Sequence, residues 1–299
     1  MYCMLDFRSL EAFAAVISEG GFEKAGTALG LTQSAVSQRV RQLEQFAGAV
    51  LVVRENPPRA SASGEHLLRL YAQTRSLETE ALAGARGAPA TGFEQMTIAV
   101  NADSLAVWFL EATLPFWLSR PALFDLRVDD QERTLRFLKS GEACACLSAR
   151  GESVVGCIST RLGAMEYRLC AAPAYAARFF PDGFTAGSAA SAPVIHYNRD
   201  DGLQRMALRA CFGAAAPEPP AYYLPSTERI FDTVKAGIGY CMIPRVQAEG
   251  ALRVGDLVEL SSAARTRVDL FWHRWSLVSA SLDELTGLLV RKAGEYLEV

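Results

Sequence analysis

Residues Gly21 to Glu44 read GFEKAGTALGLTQSAVSQRVRQLE, the pattern of a helix, a tight turn and a second helix with a small, polar outer face. In the second helix Val36, Val40 and Leu43 recur at i, i+4 and i+7, within about 60° of one another, and form its core side. Ser34, Ser37, Gln38 and Arg41 fall within roughly 100° of one another on another face, and all four can hydrogen bond. Thr32 is placed to cap this helix, its hydroxyl accepting from one of the first free amides. The amides left over, with the partial positive charge of the helix end, favour a phosphate nearby. In the preceding helix Phe22, Ala25, Ala28 and Leu29 form the expected buried side, and Gly30 stands where that helix ends. Two packed helices joined by a short turn make a helix-turn-helix, a unit that suits a DNA groove; an ordinary helical hairpin has the same spacing.

Working outward, Asp6 to Glu19 predicts a first helix, with Leu10, Phe13 and Ile17 on one side and Gly20-Gly21 closing it. On the far side, Val50 to Val53 is a short β-rich run, followed by Arg54 and by Pro57-Pro58-Arg59. A strand, a proline-stiffened turn and a returning segment describe a wing whose Arg54 and Arg59 suit phosphates or a minor groove; solvated surface arginines are the alternative. Ser61 can cap the next helix, which runs to about Ala83 with Leu67, Leu70, Tyr71, Thr74, Leu77 and Ala81 near heptad spacing. Such a stripe needs cover, and a second copy of the chain is the economical partner. Gly84 to Gly92 lacks apolar periodicity and reads as a linker.

The whole chain has 299 residues, room for two or three domains, and its 50% apolar and 21% charged composition is that of a folded, soluble protein. No run approaches the roughly 18 uninterrupted apolar residues of a membrane span, and MYCMLDFRSL has no export signal, so the cytoplasm is the expected compartment. Seven cysteines are scattered without a C-x-x-C pair, which favours reduced thiols. Cys144-x-Cys146 reads as core packing, because no histidine or further cysteine lies at ligand spacing; no cofactor or metal is implied. The net charge is −3, and residues 1 to 60 hold as many acids as bases, so any attraction to DNA depends on local placement of arginines.

From Met96 onward short β-rich runs alternate with helical ones. The strand candidates are 96–100, 124–128, 143–147, 194–197, 239–243 and 270–272, and the helical stretches lie near 104–118, 132–138, 174–179, 202–211, 227–236 and 282–297. This rhythm predicts an α/β region with parallel-type sheets, whose ligands bind where strand ends meet helix starts. Asn101, Asp103 and Ser104 occupy such a junction: free amides there suit a carboxylate and Asp103 an ammonium, or Asp103 simply caps the helix. Ser226, Thr227 and Glu228 occupy a similar junction. Asp129, Asp130 and Glu132 lie past another strand end, as candidates for a cationic side chain or as solvated surface acids. His196 also falls at a strand end, whereas His66 and His273 suit a helix surface and a core strand.

On these residues the chain resembles the LysR-type transcriptional regulators over essentially its full length, through Phe22–Ala28, Leu31–Ser37 and Leu43-Glu44. Within that family it is similar to the ArgP/LysG (IciA-like) branch, which senses basic amino acids and activates a gene for their export. The words carrying that likeness are Thr32–Arg39, Pro57-Pro58-Arg59, Asn101–Ala106, Cys241–Pro244 and Trp272-His273-Arg274. The resemblance implies a winged helix-turn-helix over residues 1–60, a dimerising linker helix and hinge over 61–91, and a two-lobed, periplasmic-binding-protein-like effector domain over 92–299. Lobe I would comprise 92–165 and 268–299, and lobe II 166–267, with crossings near Met165 and Val268. It implies Gln33, Ser34, Ser37, Gln38 and Arg41 on double-stranded promoter DNA, with Arg54 and Arg59 in the wing. Lysine or arginine is the implied effector, the assembly is a homodimer or homotetramer, and RNA polymerase is a further partner. Val52 and Ser61 depart from the family's usual aromatic and threonine.

Other classes fit less well. An enzyme would need a nucleophile elbow, a phosphate-binding glycine loop or a metal-ligand cluster, and none is legible. An architectural protein that coats DNA relies on neutralising phosphates, which a neutral N-terminal region does poorly.

Overall fold

The computed structural model describes residues 5–85, 94–129, 133–277 and 279–298. Three helices open the chain: α1 (Phe7–Ser18), α2 (Phe22–Leu29) and α3 (Gln33–Ala47). The Asp6 carboxylate caps α1, accepting from the amides of Arg8 and Ser9 at 3.2 Å each. Thr32 caps α3, its hydroxyl accepting from the Ala35 amide at 3.2 Å. Leu10, Phe13 and Val16 of α1, Ala25 of α2 and Val36, Val40 and Leu43 of α3 close one core. Ala28 faces solvent, contrary to the sequence expectation, because the buried arc of this short helix is narrow and follows Ala25 and Leu29, four residues apart.

The wing is the antiparallel pair β1 (Val52–Val53) and β2 (Arg59–Ala60), with Val52 opposite Ala60. Leu51 and Val52 are buried in the three-helix core, so Val52 roots the wing by packing. The Glu44 carboxylate near the end of α3 accepts from the amides of Leu51 and Val52 at 2.9 and 3.4 Å, tying the second helix of the pair to the wing. Ser61 then donates to the Val50 carbonyl at 2.6 Å and accepts from the Gly64 amide at 3.1 Å, capping α4 (Ala62–Ala85). The apolar stripe expected along α4 divides. Leu67 and Tyr71 pack on the N-terminal core, whereas Leu70, Leu77 and Leu82 are exposed.

Beyond α4 the chain forms β3 (Glu94–Asn101), α5 (Ala102–Ser104), a π-helical turn (Leu105–Phe109), α6 (Leu110–Ser119), β4 (Ala122–Asp129), α7 (Leu135–Ser140) and β5 (Ala145–Ser148). It continues through β6 (Cys157–Ala171), α8 (Pro173–Phe179), α9 (Ala186–Ser191), β7 (Val194–His196), α10 (Leu203–Phe212), β8 (Ala221–Tyr223) and α11 (Thr227–Lys235). The last elements are β9 (Cys241–Pro244), α12 (Arg245–Val254), β10 (Val258–Trp275) and α13 (Ala280–Ala293). One sheet has the order β4-β3-β5-β10-β6-β9, and β7 pairs with β8 in a second.

The sheets are mixed instead of uniformly parallel. β3 runs parallel to β4 and β5, and β7 to β8, but β10 is antiparallel to β5 and β6, and β6 to β9. The long pair β6 and β10 explains the difference: both run from one lobe to the other, in opposite directions, with Met165 opposite Val268. β6 has no counterpart among the expected strands, and β10 only its Leu270–Trp272 part; α9, α12 and β8 are likewise additional. Charged residues interrupt the apolar run of β6 but are partnered, Arg161 with Asp269 at 2.7 Å and Arg168 with Glu166 at 3.0 Å.

Gly64 lies where α4 crosses the base of the wing, and a Cβ there would stand 2.4 Å from the Leu51 carbonyl oxygen and 3.0 Å from the Phe13 ring. Gly64→Ala is expected to destabilise the N-terminal region by about 1–3 kcal/mol, read as a lowered thermal midpoint; an unchanged midpoint would mean that α4 shifts freely on the wing.

Candidate functional site

Two surfaces gather the residues singled out in the sequence. On α3, Gln33, Ser34, Gln38 and Arg41 are exposed and Ser37 half-buried, while Val36, Val40 and Leu43 hold the helix from behind. Gln33, Ser37 and Arg41 share a concave surface with Gly20-Gly21-Phe22 and with Arg54, Glu55 and Asn56 of the wing. Thr32 stands exposed at the head of the helix. Arg59 is outside this hollow, its Nε and Nη2 donating to Glu55 at 2.9 and 2.5 Å. That pair is solvent-exposed and therefore weak, so a phosphate can displace the carboxylate.

The second surface is a cleft where the C-terminal end of β3 faces the starts of α11 and α12. Its cavity, about 40 Å³, is lined by Asn101, Asp103, Tyr197, Asp201, Gln204, Thr227 and Gln247 among apolar neighbours. Asp103 spans the cleft: Oδ2 accepts from the Tyr167 hydroxyl at 2.7 Å and Oδ1 from the Thr227 hydroxyl at 2.9 Å. The Asp201 carboxylate accepts from the amides of Tyr197 and Leu203, both at 3.0 Å, and so caps α10. Three amide oxygens in this wall, Asn101 Oδ1, Gln204 Oε1 and Gln247 Oε1, are buried without a hydrogen-bond partner. No lysine or arginine lines the cavity among the described residues.

Of the residues expected from sequence, the cavity wall thus gathers Asn101, Asp103 and Thr227. Ser104 is buried behind it, its Oγ without a partner. Ser226 instead caps α11, accepting from the Arg229 amide at 3.4 Å and donating to Glu228 at 3.2 Å, and Glu228 is exposed outside the cleft. Asp129 is drawn away by Arg136 at 2.7 Å. Asp130 and Glu132 lie outside the described residues. His196 sits behind Asp201, 3.8 Å from its carboxylate and stacked on Tyr223. Sequence reasoning missed Tyr197, Asp201, Gln204 and Gln247; an acid two residues before Leu203 was a legible capping signal for Asp201, whereas Gln247 lies on a helix that no pattern announced. Among the described residues no His, Cys, Asp and Glu cluster is arranged for a metal, and no helix is long and apolar enough to cross a membrane.

A winged helix-turn-helix joined by a long helix to an α/β domain with an interlobe cleft defines a DNA-binding regulator with its own ligand-binding domain. The chain belongs to the LysR family of bacterial transcriptional regulators: residues 7–65 match the bacterial regulatory helix-turn-helix protein, lysR family, and residues 119–294 the LysR substrate binding domain. It is 36% identical to the transcriptional regulator ArgP of Photobacterium profundum, over 98% of each chain. The crystal structure of ArgP from Mycobacterium tuberculosis matches with a TM-score of 0.87 at 39% identity, covering 99% of both chains. Full-length LysG of Corynebacterium glutamicum with bound effector Arg matches with a TM-score of 0.83 at 30% identity, covering 99% of this chain and 100% of that one.

Burial lowers the pKa of His196, against the pull of Asp201, and likewise that of His273, whose Nε2 lies 2.7 Å from the Arg150 carbonyl. Both imidazoles bind a proton more readily in the unfolded chain, so this contribution to stability is complete above pH about 6.5 and is lost as pH falls through the lower folded values. Thermal midpoints are expected to drop between pH 6.5 and 5, and His273→Gln to flatten part of that drop; an equally steep profile in the variant would exclude His273 as a source.

Proposed function

We propose that this chain is a LysR-type regulator of amino-acid export or metabolism genes whose cleft takes a basic amino acid, arginine or lysine. The observation that carries the reading is the one-sided chemistry of the wall: two carboxylates and three buried, unpaired amide oxygens, with no lysine or arginine beside them. Such a wall offers acceptors and negative charge, and a cation rich in N–H donors complements it. Asp103 takes the ammonium, and the amides at the head of α11 take the carboxylate. The LysG structure with bound effector Arg supports a basic amino acid as the ligand class.

In this reading residues 1–60 are the DNA-binding domain, 61–91 the linker helix and hinge, and 92–299 the effector domain, with lobes 92–165 plus 268–299 and 166–267; residues 86–93, where the hinge is expected, lie outside the described residues. The protein is a cytoplasmic homodimer joined through α4, where the exposed Leu70, Leu77 and Leu82 await a second copy. Gln33, Ser34, Ser37, Gln38 and Arg41 of each protomer read the major groove, and Arg54 and Arg59 hold the backbone.

Arginine or lysine at about a hundred times its Kd should stabilise the protein by about 2.7 kcal/mol, seen as a raised thermal midpoint. Asp103→Asn is expected to weaken that binding about tenfold or more; unchanged affinity would remove Asp103 from the ligand. In gel shifts on the promoter of a neighbouring exporter gene, Arg41→Ala should weaken specific retardation about tenfold while leaving ligand stabilisation intact. Loss of both would show that Arg41 serves the fold, and no sequence-specific retardation by the wild type would overturn the regulator's assignment to that promoter.

A further inference from the structure

Gln204 is 2% exposed and lies in the first turn of α10, behind the Asp201 cap. Its Nε2 donates to the Ile195 carbonyl at 2.9 Å and faces Cys241 Sγ at 3.0 Å. An amide nitrogen has two hydrogens, and both are therefore used. The flipped amide would set Oε1 against the Ile195 carbonyl, acceptor against acceptor. Oε1 is consequently fixed as an acceptor on the cavity wall, buried and without a partner.

We propose that Gln204 is a specificity-determining residue: its Oε1 accepts an N–H from the cationic end of the ligand's side chain, selecting arginine over side chains that end without a donor. This rests on the basic-amino-acid reading of the cleft. The carboxylates of Asp103 and Asp201 are each already engaged by two protein donors, so they act chiefly as charge, while the amide oxygens have their full accepting capacity left. Guanidinium presents five N–H donors in one plane and can satisfy several such oxygens together. An apolar side-chain end would leave Oε1 buried and unpaired, and a site built around a hydrogen bond rejects a ligand lacking it far more strongly than an apolar pocket does.

The test is calorimetric titration of full-length wild type, Gln204→Met and Gln204→Asn with arginine, and with norleucine by competition. Gln204→Met keeps the length of the side chain and removes the oxygen together with the Nε2 donor to Ile195; Gln204→Asn keeps the amide and withdraws it by one carbon, and decides the matter if the first variant fails to fold. Arginine affinity is expected to fall about tenfold or more while norleucine affinity holds or rises, the unpaired oxygen having gone. The thermal midpoint of the free protein falls in Gln204→Met, because the Ile195 carbonyl loses its donor, and is read separately from binding. Arginine affinity within about twofold of wild type in a folded variant overturns the proposal. Parallel losses for arginine and norleucine overturn it too, because they mark a structural role. Wild-type protein that binds neither arginine nor lysine defeats the underlying reading instead, before any variant is compared.

Discussion

The Asp103 carboxylate is the contact on which the effector domain turns. It stands at the end of β3, yet its partners are Tyr167 on a crossing strand and Thr227 at the head of α11. Charge-assisted hydrogen bonds of this kind strengthen in a poorly solvated cleft. They draw the two walls together over a cavity of about 40 Å³, room for about three waters. The cross-cleft bonds thus tie the end of β3 to the head of α11 and to β6 through one side chain.

The crossing strands join the lobes as well. β6 and β10 stay paired from Cys157 opposite Trp275 to Ala171 opposite Val258, with an unshifted middle from Tyr167 opposite Thr266 to Gly163 opposite Leu270. Register irregularities lie between Ser261 and Thr266 and between Leu270 and Phe271, on either side of that middle. Bulges let a strand bend while its neighbours remain bonded.

What was legible in the chain was the part whose physics is local. The face assignments of α3 follow from a 3.6-residue period, and Val36, Val40 and Leu43 are buried accordingly. The Asp6, Thr32 and Ser61 caps need only a neighbouring amide. Asn101 and Asp103 were legible because an alternating strand stops and a helix starts at that point. The opposite wall was not. Asp201, Gln204 and Gln247 reach the cavity only because β6, β9 and β10 pair across residues far apart in sequence, and β6 carries charges that hide its strand pattern. Neither could a helical period foresee that Leu67 and Tyr71 turn inward to the N-terminal core while Leu70 and Leu77 stay exposed. That division depends on where α4 meets α1 and the wing.

Cleft and DNA-binding region are connected by packing as well as by chain. Arg133 forms an ion pair with Asp200, on the loop that also carries Asp201, and Thr134 beside it donates to the Leu147 carbonyl of β5 at 2.7 Å. α7 starts at the next residue and ends at Gly141, which adopts φ 81°. A Cβ on Gly141 would stand 2.8 Å from the Arg69 Cα, so α4 and the α7 turn meet backbone against backbone. Contacts that close have no side chains to absorb displacement. The Asp200 loop is thereby linked through Arg133 and Thr134 to α7, and α7 packs directly on α4. α4 is capped by Ser61 at the base of the wing, and Glu44 ties the wing to α3, so α4, the wing and the helix carrying Ser34, Gln38 and Arg41 are bonded to one another in turn.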